Sequence, residues 1–242
     1  MIDWLPEDLP PKFPHTDSAL TDPNANGLLA AGGRLTPEWL LHAYQQGIFP
    51  WYDKESPILW WSPAPRMILT PTSFRLGRSL NKAMRRQNYT ITCNQAFSAV
   101  IHQCSLPRDK QADTWITDEM KFAYLRMHIN GLAMSAEYWD EDGHLAGGLY
   151  GIRVGTAFYG ESMFSRASNA SKITFAHFAK ALFESGIDLI DCQMHTDHLA
   201  GFGAEEVDRD DFERRISTAI LADSAPIAGV IASNKVINDA RR

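Results

Sequence analysis

Leu145-Ala146-Gly147-Gly148-Leu149-Tyr150-Gly151-Ile152-Arg153-Val154-Gly155-Thr156-Ala157-Phe158-Tyr159-Gly160-Glu161-Ser162-Met163 is the stretch on which the fold turns. Branched and aromatic residues punctuated by glycine make it a strand hairpin turning near Gly155. Its five glycines, at 147, 148, 151, 155 and 160, mark either hairpin twist or bulges where another backbone or a ligand comes close. Glu161 ends the run beside Phe158-Tyr159-Gly160, so its carboxylate faces solvent or a pocket, and its neighbours favour a pocket.

Working outward, Met134 to Trp139 alternates as a further strand, preceded by a helix from Asp118 to Ile129 that stops at Asn130-Gly131. After the hairpin, Asn169 or Ser171 caps a helix whose apolar positions Ile173, Ala176, Phe178, Ala179, Leu182 and Phe183 keep helical spacing until Gly186. The next strand, Leu189-Ile190-Asp191-Cys192-Gln193-Met194, alternates faces, so Asp191 and Gln193 share one face while Ile190, Cys192 and Met194 face the core. A carboxylate beside an amide can orient it toward a substrate nitrogen; the other reading is a solvated strand face. Beyond about Ile216 the weak periodicity predicts a loosely packed last helix or a partly disordered tail.

Toward the N-terminus, Thr36 is a good N-cap with Pro37 in the first turn, and the helix it starts runs through Leu40, Leu41 and Tyr44 to Gly47. A proline-bounded aromatic segment holds Trp51, Trp60 and Trp61, and a boundary falls near Pro63 to Pro65. Met67 to Leu69 then reads as a strand, Ser79 to Arg86 as the core of a helix, and Asn94 to Cys104 as another.

The net charge of −6 argues against a polyanionic partner, but its distribution reverses this locally. From Ser56 through Arg108 there is no Asp or Glu, although 29 acids in 242 residues would place about six there. Seven cations occupy the stretch: Arg66, Arg75, Arg78, Lys82, Arg85, Arg86 and Arg108. Arg78, Lys82, Arg85 and Arg86 recur at i, i+4, i+7 and i+8, which puts them on one helix face suited to phosphates. Trp51, Trp60, Trp61 and Trp115 either stack on unpaired bases or fill the core.

A composition of 45% hydrophobic and 21% charged residues is that of a globular protein. The three cysteines form no Cys-x-x-Cys pair, and no signal segment or apolar run long enough to span a bilayer occurs, so a cytoplasmic protein with no membrane role is expected. There is no Walker loop, Gly-x-Gly-x-x-Gly or Gly-x-Ser-x-Gly elbow. His195-Thr196-Asp197-His198 lacks a recognised zinc spacing, and neither metal nor cofactor is expected. Direct transfer without a covalent enzyme intermediate fits best.

Several blocks together resemble one family: Gly27-Leu28-Leu29-Ala30-Ala31-Gly32-Gly33, Tyr44-Gln45-Gln46-Gly47-Ile48-Phe49-Pro50-Trp51, Ile58-Leu59-Trp60-Trp61-Ser62-Pro63, Thr114-Trp115-Ile116-Thr117, Gly160-Glu161-Ser162-Met163-Phe164-Ser165, Asn169-Ala170-Ser171-Lys172 and Leu189-Ile190-Asp191-Cys192-Gln193. They are similar, in order from about Gly27 to Phe212, to leucyl/phenylalanyl-tRNA-protein transferase. The resemblance implies an α+β protein: a small N-terminal α/β domain, 1–64, and a larger acetyltransferase-like (GNAT-like) catalytic domain, 65–242.

It further implies transfer of Leu or Phe, less often Met, from aminoacyl-tRNA to proteins beginning with Arg or Lys, marking them for N-end rule degradation. By the same likeness Asp191 and Gln193 are the catalytic pair and Glu161 the acceptor-side carboxylate. Phe158, Phe178 and Ile190 line the amino-acid pocket, Trp51 and Trp115 lie near the tRNA's terminal adenosine, and Arg78, Lys82, Arg85 and Arg86 meet the acceptor stem. Arg34, Asn81 and Leu149 depart from the family's usual choices, away from the catalytic pair. Competing readings are an acyl-CoA N-acyltransferase, a tRNA-dependent ligase of cell-wall peptides, and a non-catalytic RNA-binding module.

Overall fold

The computed structural model describes residues 2–107 and 115–234. In chain order its strands are β1 Asp3–Leu5, β2 Leu28–Gly32, β3 Phe49–Pro50, β4 Leu59–Trp61, β5 Arg66–Leu69, β6 Tyr89–Cys93, β7 Ala133–Trp139, β8 Leu145–Val154, β9 Ala157–Ser165, β10 Leu189–Gln193, β11 Glu205–Val207 and β12 Gly229–Asn234. The helices are α1 Pro37–Tyr44, α2 Arg78–Arg86, α3 Phe97–Cys104, α4 Asp118–Ile129, α5 Ala170–Glu184, α6 Asp197–Ala200 and α7 Arg209–Ala219. The protein is thus a mixed α and β structure with two sheets, one of four strands ordered β1-β2-β4-β3 and one of eight ordered β11-β5-β10-β9-β8-β7-β6-β12.

The hairpin forms as expected. Gly155, at φ +61, makes the turn, and a Cβ there would stand 2.1 Å from the Ala219 carbonyl, so only glycine fits against the end of α7. The ladder shifts register between Tyr150 and Gly151, where a Cβ on Gly151 would collide with the Tyr159 carbonyl at 2.2 Å. This bulge bends the centre of the sheet beside Gly160 and Glu161. Thr156 anchors the tip: its hydroxyl donates to Asp188 at 2.8 Å, and its N–H to the Ala219 carbonyl at 2.9 Å.

Alternation along the central strands divides two apolar layers. Leu149, Phe158 and Ile190 face a layer with Phe175, Phe178 and Leu182 of α5. Tyr150, Ile152 and Tyr159 face the opposite layer with α3, α4, α1 and the small sheet. The helix starts follow their caps: Thr36 accepts from Trp39 N–H, and Thr117 from Met120 N–H.

Four expectations are corrected or narrowed. The helix expected from Asn94 begins at Phe97, because Asn94 sits at φ +57 with its side chain accepting from Ser135 N–H and its own N–H donating to the Ser135 carbonyl. Asn169 holds the α5 cap position at φ +62 without a side-chain capping bond. The segment after Ile216 is neither a loosely packed helix nor only a tail: α7 ends at Ala219, and β12 adds to the sheet beside β6, with Ile231 and Ala232 packed against the cluster of Tyr89, Ile91 and Tyr138. Residues 235–242 and Arg108 lie outside the described residues. Finally, Trp60 is fully buried and donates to the Gly32 carbonyl at 2.9 Å, so it is core and not a stacking platform.

Candidate functional site

Asp191 sits mid-strand in β10 with no exposed surface. Its Oδ1 accepts from Arg66 Nε at 2.8 Å and its Oδ2 from Arg66 Nη2 at 2.7 Å. Oδ1 also accepts the backbone N–H of Gln193 at 2.8 Å. Both oxygens are therefore engaged, and the carboxylate acts as a fixed acceptor beneath the next turn of chain. That turn is unusual, because the β10–β5 register shifts between Asp191 and Gln193 and Gln193 takes φ +64. A non-glycine residue there stores strain of about 1 to 3 kcal/mol, offset locally by the Asp191 hydrogen bond.

This turn alters the expected alternation. Met194 is 48% exposed and does not face the core, and Cys192 joins Ile190 in lining a cavity. Burial, then the Asp191 charge, pushes the Cys192 thiol well above its ordinary value, which keeps it protonated.

Arg66 was among the cations expected to face a polyanion, but it has no exposed surface. Its guanidinium lies 4.9 Å from the Phe49 ring and 4.6 Å from the Phe212 ring, a stack joining the small sheet, β5 and α7. Its place at the head of the apolar run Met67-Ile68-Leu69, after Pro65, was the available sequence signal for a buried cation.

Glu161, on β9, meets Gln193 across the same cavity. Gln193 Nε2 donates to Glu161 Oε1 at 3.4 Å, and the phenols of Tyr44 and Tyr124 donate to Oε1 and Oε2, each at 2.7 Å. The two phenol oxygens are also 2.7 Å apart. Burial pushes the Glu161 carboxyl up to about 7, the Asp191 charge adds to this, and the two phenols and Arg66 oppose it. Burial and the Glu161 charge raise both tyrosines well above their usual values, so they remain donors. Neither tyrosine was anticipated; each occupies the apolar stripe of its helix and reads as core from spacing alone.

The cavity holds about 540 Å³. Phe158, Phe175, Leu149, Ile190 and Met163 give it an apolar side; Glu161, Ser162, Asp191 and Gln193 give it a polar one, and Trp51 and Trp115 stand at its wall. Phe178 does not line it but backs Phe158 edge-to-face, with ring centroids 5.2 Å apart. Trp51 is 40% exposed and meets Trp61 at 5.4 Å, the Trp61 indole donating to the Trp51 carbonyl. The structure thus brings Asp191, Gln193, Glu161, Phe158, Ile190, Trp51 and Trp115 to one cavity.

Arg78, Lys82, Arg85 and Arg86 stand apart, exposed on α2, with no carboxylate paired to them among the described residues. No residue of α2 is fully buried; Leu80 and Met84 anchor it partly on the α5 side.

The family described as leucyl/phenylalanyl-tRNA protein transferase matches residues 68–217, and its N-terminal domain matches residues 33–64. The chain is 54% identical over 212 residues to the leucyl/phenylalanyl-tRNA–protein transferase of Azoarcus sp. (strain BH72), covering 88% of each chain. It is 49% identical over 220 residues to that of Nitrosospira multiformis, covering 91% of this chain and 93% of the relative. The solved chain of L-PGS from Bacillus licheniformis matches with a TM-score of 0.42 at 11% identity, covering 84% of this chain and 66% of that one.

Proposed function

The chain belongs to the leucyl/phenylalanyl-tRNA protein transferase family and is an aminoacyltransferase, and from that footing we propose that it moves Leu or Phe, less often Met, from aminoacyl-tRNA to the N-terminal Arg or Lys of acceptor proteins, marking them for N-end rule degradation. The observation that carries this reading is the two-sided cavity, with an apolar wall next to a carboxylate and an amide held 3.4 Å apart. An apolar pocket separates Leu, Phe and Met side chains by only about 1 to 3 kcal/mol, which suits acceptance of all three.

The aminoacyl ester is already activated, so the reaction needs alignment and removal of one proton. The neutral acceptor amine attacks the ester carbonyl carbon, the C–N bond forms, the C–O bond to the terminal ribose breaks, and the proton the amine loses ends on the departing ribose oxygen as its hydroxyl. With its N–H side engaged by Glu161, Gln193 offers its carbonyl oxygen to the attacking amine. Glu161, ionised above about pH 7, is suited to attract a cationic acceptor and take its proton. Asp191 has both oxygens engaged and serves as a positioning residue that fixes the Gln193 turn.

In this reading residues 1–64 are a small domain on a GNAT-like catalytic domain from residue 65, and the parallel β9–β10 pair within an otherwise antiparallel sheet supports that assignment. The proposed compartment is the cytoplasm; no helix of the described residues is long and apolar enough to cross a membrane. The test is incubation with radiolabelled Leu-tRNA and a peptide beginning with Arg. Label on the peptide is expected, and its absence beside an active control enzyme overturns the reading.

A further inference from the structure

A second cavity of about 580 Å³ adjoins the catalytic one, with Met163 lining both. Its polar lining is Gln103, Ser165, Arg166, Ser171 and His198, and among the described residues no carboxylate lines it. Arg166 is exposed, its guanidinium donating to the neutral Gln103 side chain, and no acid pairs with it among the described residues. His198 Nε2 is buried without a hydrogen-bond partner among the described residues. Lys172 is near enough to help depress the His198 pKa, after burial.

The cavity also leads toward the basic helix. Gln87, the residue after α2, donates its side-chain amide to the Ser168 carbonyl at 3.3 Å, so the turn after Arg166 abuts the end of α2 that carries Arg85 and Arg86. A ligand spanning α2 and the catalytic cavity along this side passes Arg166. Its chemistry follows from the lining. A cation with hydroxyls and no acid repels a peptide beginning with Arg or Lys and attracts an anion. Among the described residues its one phenyl ring, Phe164, is buried and offers no open face for a base to stack on.

We propose that this cavity seats the phosphodiester backbone of the unpaired 3′ end of aminoacyl-tRNA, between the stem held by α2 and the aminoacyl ester in the catalytic cavity. The inference rests on the aminoacyl-tRNA reading above. Arg166 is the main phosphate contact, Lys172 adds positive potential, and His198 and the Ser171 hydroxyl complete the hydrogen bonding.

The test compares the affinities of two probes on the full-length chain: the trinucleotide CCA, with two phosphodiesters, and adenosine, with none. Their ratio reports what the two phosphodiesters and two cytidines add, and its change in the Arg166 variants isolates the phosphate contact. For the wild type the trinucleotide should bind at least about tenfold tighter, as expected for a charge-assisted contact. Arg166→Ala should collapse most of that ratio, and Arg166→Lys should restore part of it. Lys180→Ala, which removes a cation paired with Glu184 elsewhere on α5, should leave the ratio unchanged. Unfolding midpoints confirm that each variant is folded. A wild-type ratio near one, or one that Arg166→Ala leaves intact, overturns this inference. Because aminoacyl transfer is measured separately, a wild type that transfers but shows no phosphate dependence defeats only the present proposal, whereas one that binds CCA but never transfers defeats only the proposed function.

Discussion

Arg66 donates to both carboxylate oxygens of Asp191, at 2.8 and 2.7 Å, and neither side chain has exposed surface. Removing one partner leaves the other charge buried and unpaired, at a cost of about 3 to 5 kcal/mol. Arg66→Met and Asp191→Leu should each lose stability on that scale in urea unfolding, while the double variant recovers most of it. Transfer activity should stay lost in the double variant, because the Gln193 N–H no longer has its acceptor. Full activity in the double variant would show that Asp191 does not position Gln193.

Glu161 gives stability a pH dependence of defined sign. Its carboxyl is raised from an ordinary 4.5 to about 7, so the folded protein holds a proton that the unfolded chain has released between those values. The contribution is fully present below about pH 4.5 and is lost as pH rises through about 7. Glu161→Gln, which stays neutral, should remove that decline. Unfolding free energies between pH 5 and 8, measured for wild type and variant, check this, and parallel curves would refute it.

Tyr44 and Tyr124 stabilise the ionised form of Glu161 by donating to it. Deleting a hydrogen bond to a charged group costs about 1.5 to 3 kcal/mol, or roughly one to two pH units. Tyr44→Phe should therefore move the Glu161 transition upward by about one unit or more. Carboxyl chemical shifts from selectively labelled glutamate would report it directly. An unmoved midpoint would mean that the phenol does not hold the carboxylate in solution.

Much of the fold was legible because its signals are local. Thr36-Pro37 and Thr117 start helices as caps do, and Gly155 turns the hairpin. The site was half legible for the same reason. Asp191, Gln193 and Glu161 stand out as polar residues on apolar strands, but their partners come from distant parts of the chain. Arg66 lies 125 positions from Asp191, and Tyr44 lies 117 from Glu161. Strict alternation also failed at Gln193, since a left-handed residue after a strand leaves no periodic trace. The edge strand β12 was missed because its pairing with β6, not its own composition, orders it.

Trp51 and Trp60 should separate binding from folding. Trp51 is 40% exposed at the cavity wall, whereas Trp60 is fully buried between Phe13 and Trp39. Loss of base stacking costs about 1 to 3 kcal/mol, so Trp51→Ala should raise KM for aminoacyl-tRNA at least several-fold with little change in unfolding midpoint. Trp60→Ala should cost about 3 to 5 kcal/mol of stability by opening the core. Equal destabilisation by the two would remove Trp51 from the binding surface.

The exposed face of α2 makes the last prediction, in salt. Arg78, Lys82, Arg85 and Arg86 carry no ion-paired acid among the described residues, although Asp140 and Glu141 share a pocket with Arg86, so their field is mostly positive and is screened by salt. Each phosphate neutralised releases counterions and adds about 0.9 to the slope of log affinity against log salt on a duplex stem. Arg85→Glu with Arg86→Glu should therefore weaken tRNA binding and lower that slope by about two. These positions lie away from the catalytic cavity, so the defect should appear in KM and fade at high tRNA concentration, with kcat largely kept. The measurement is a filter-binding series from 50 to 300 mM salt beside steady-state kinetics. If the slope is unchanged, the acceptor stem docks elsewhere; if kcat falls and the slope holds, the helix supports the catalytic sheet instead of the RNA.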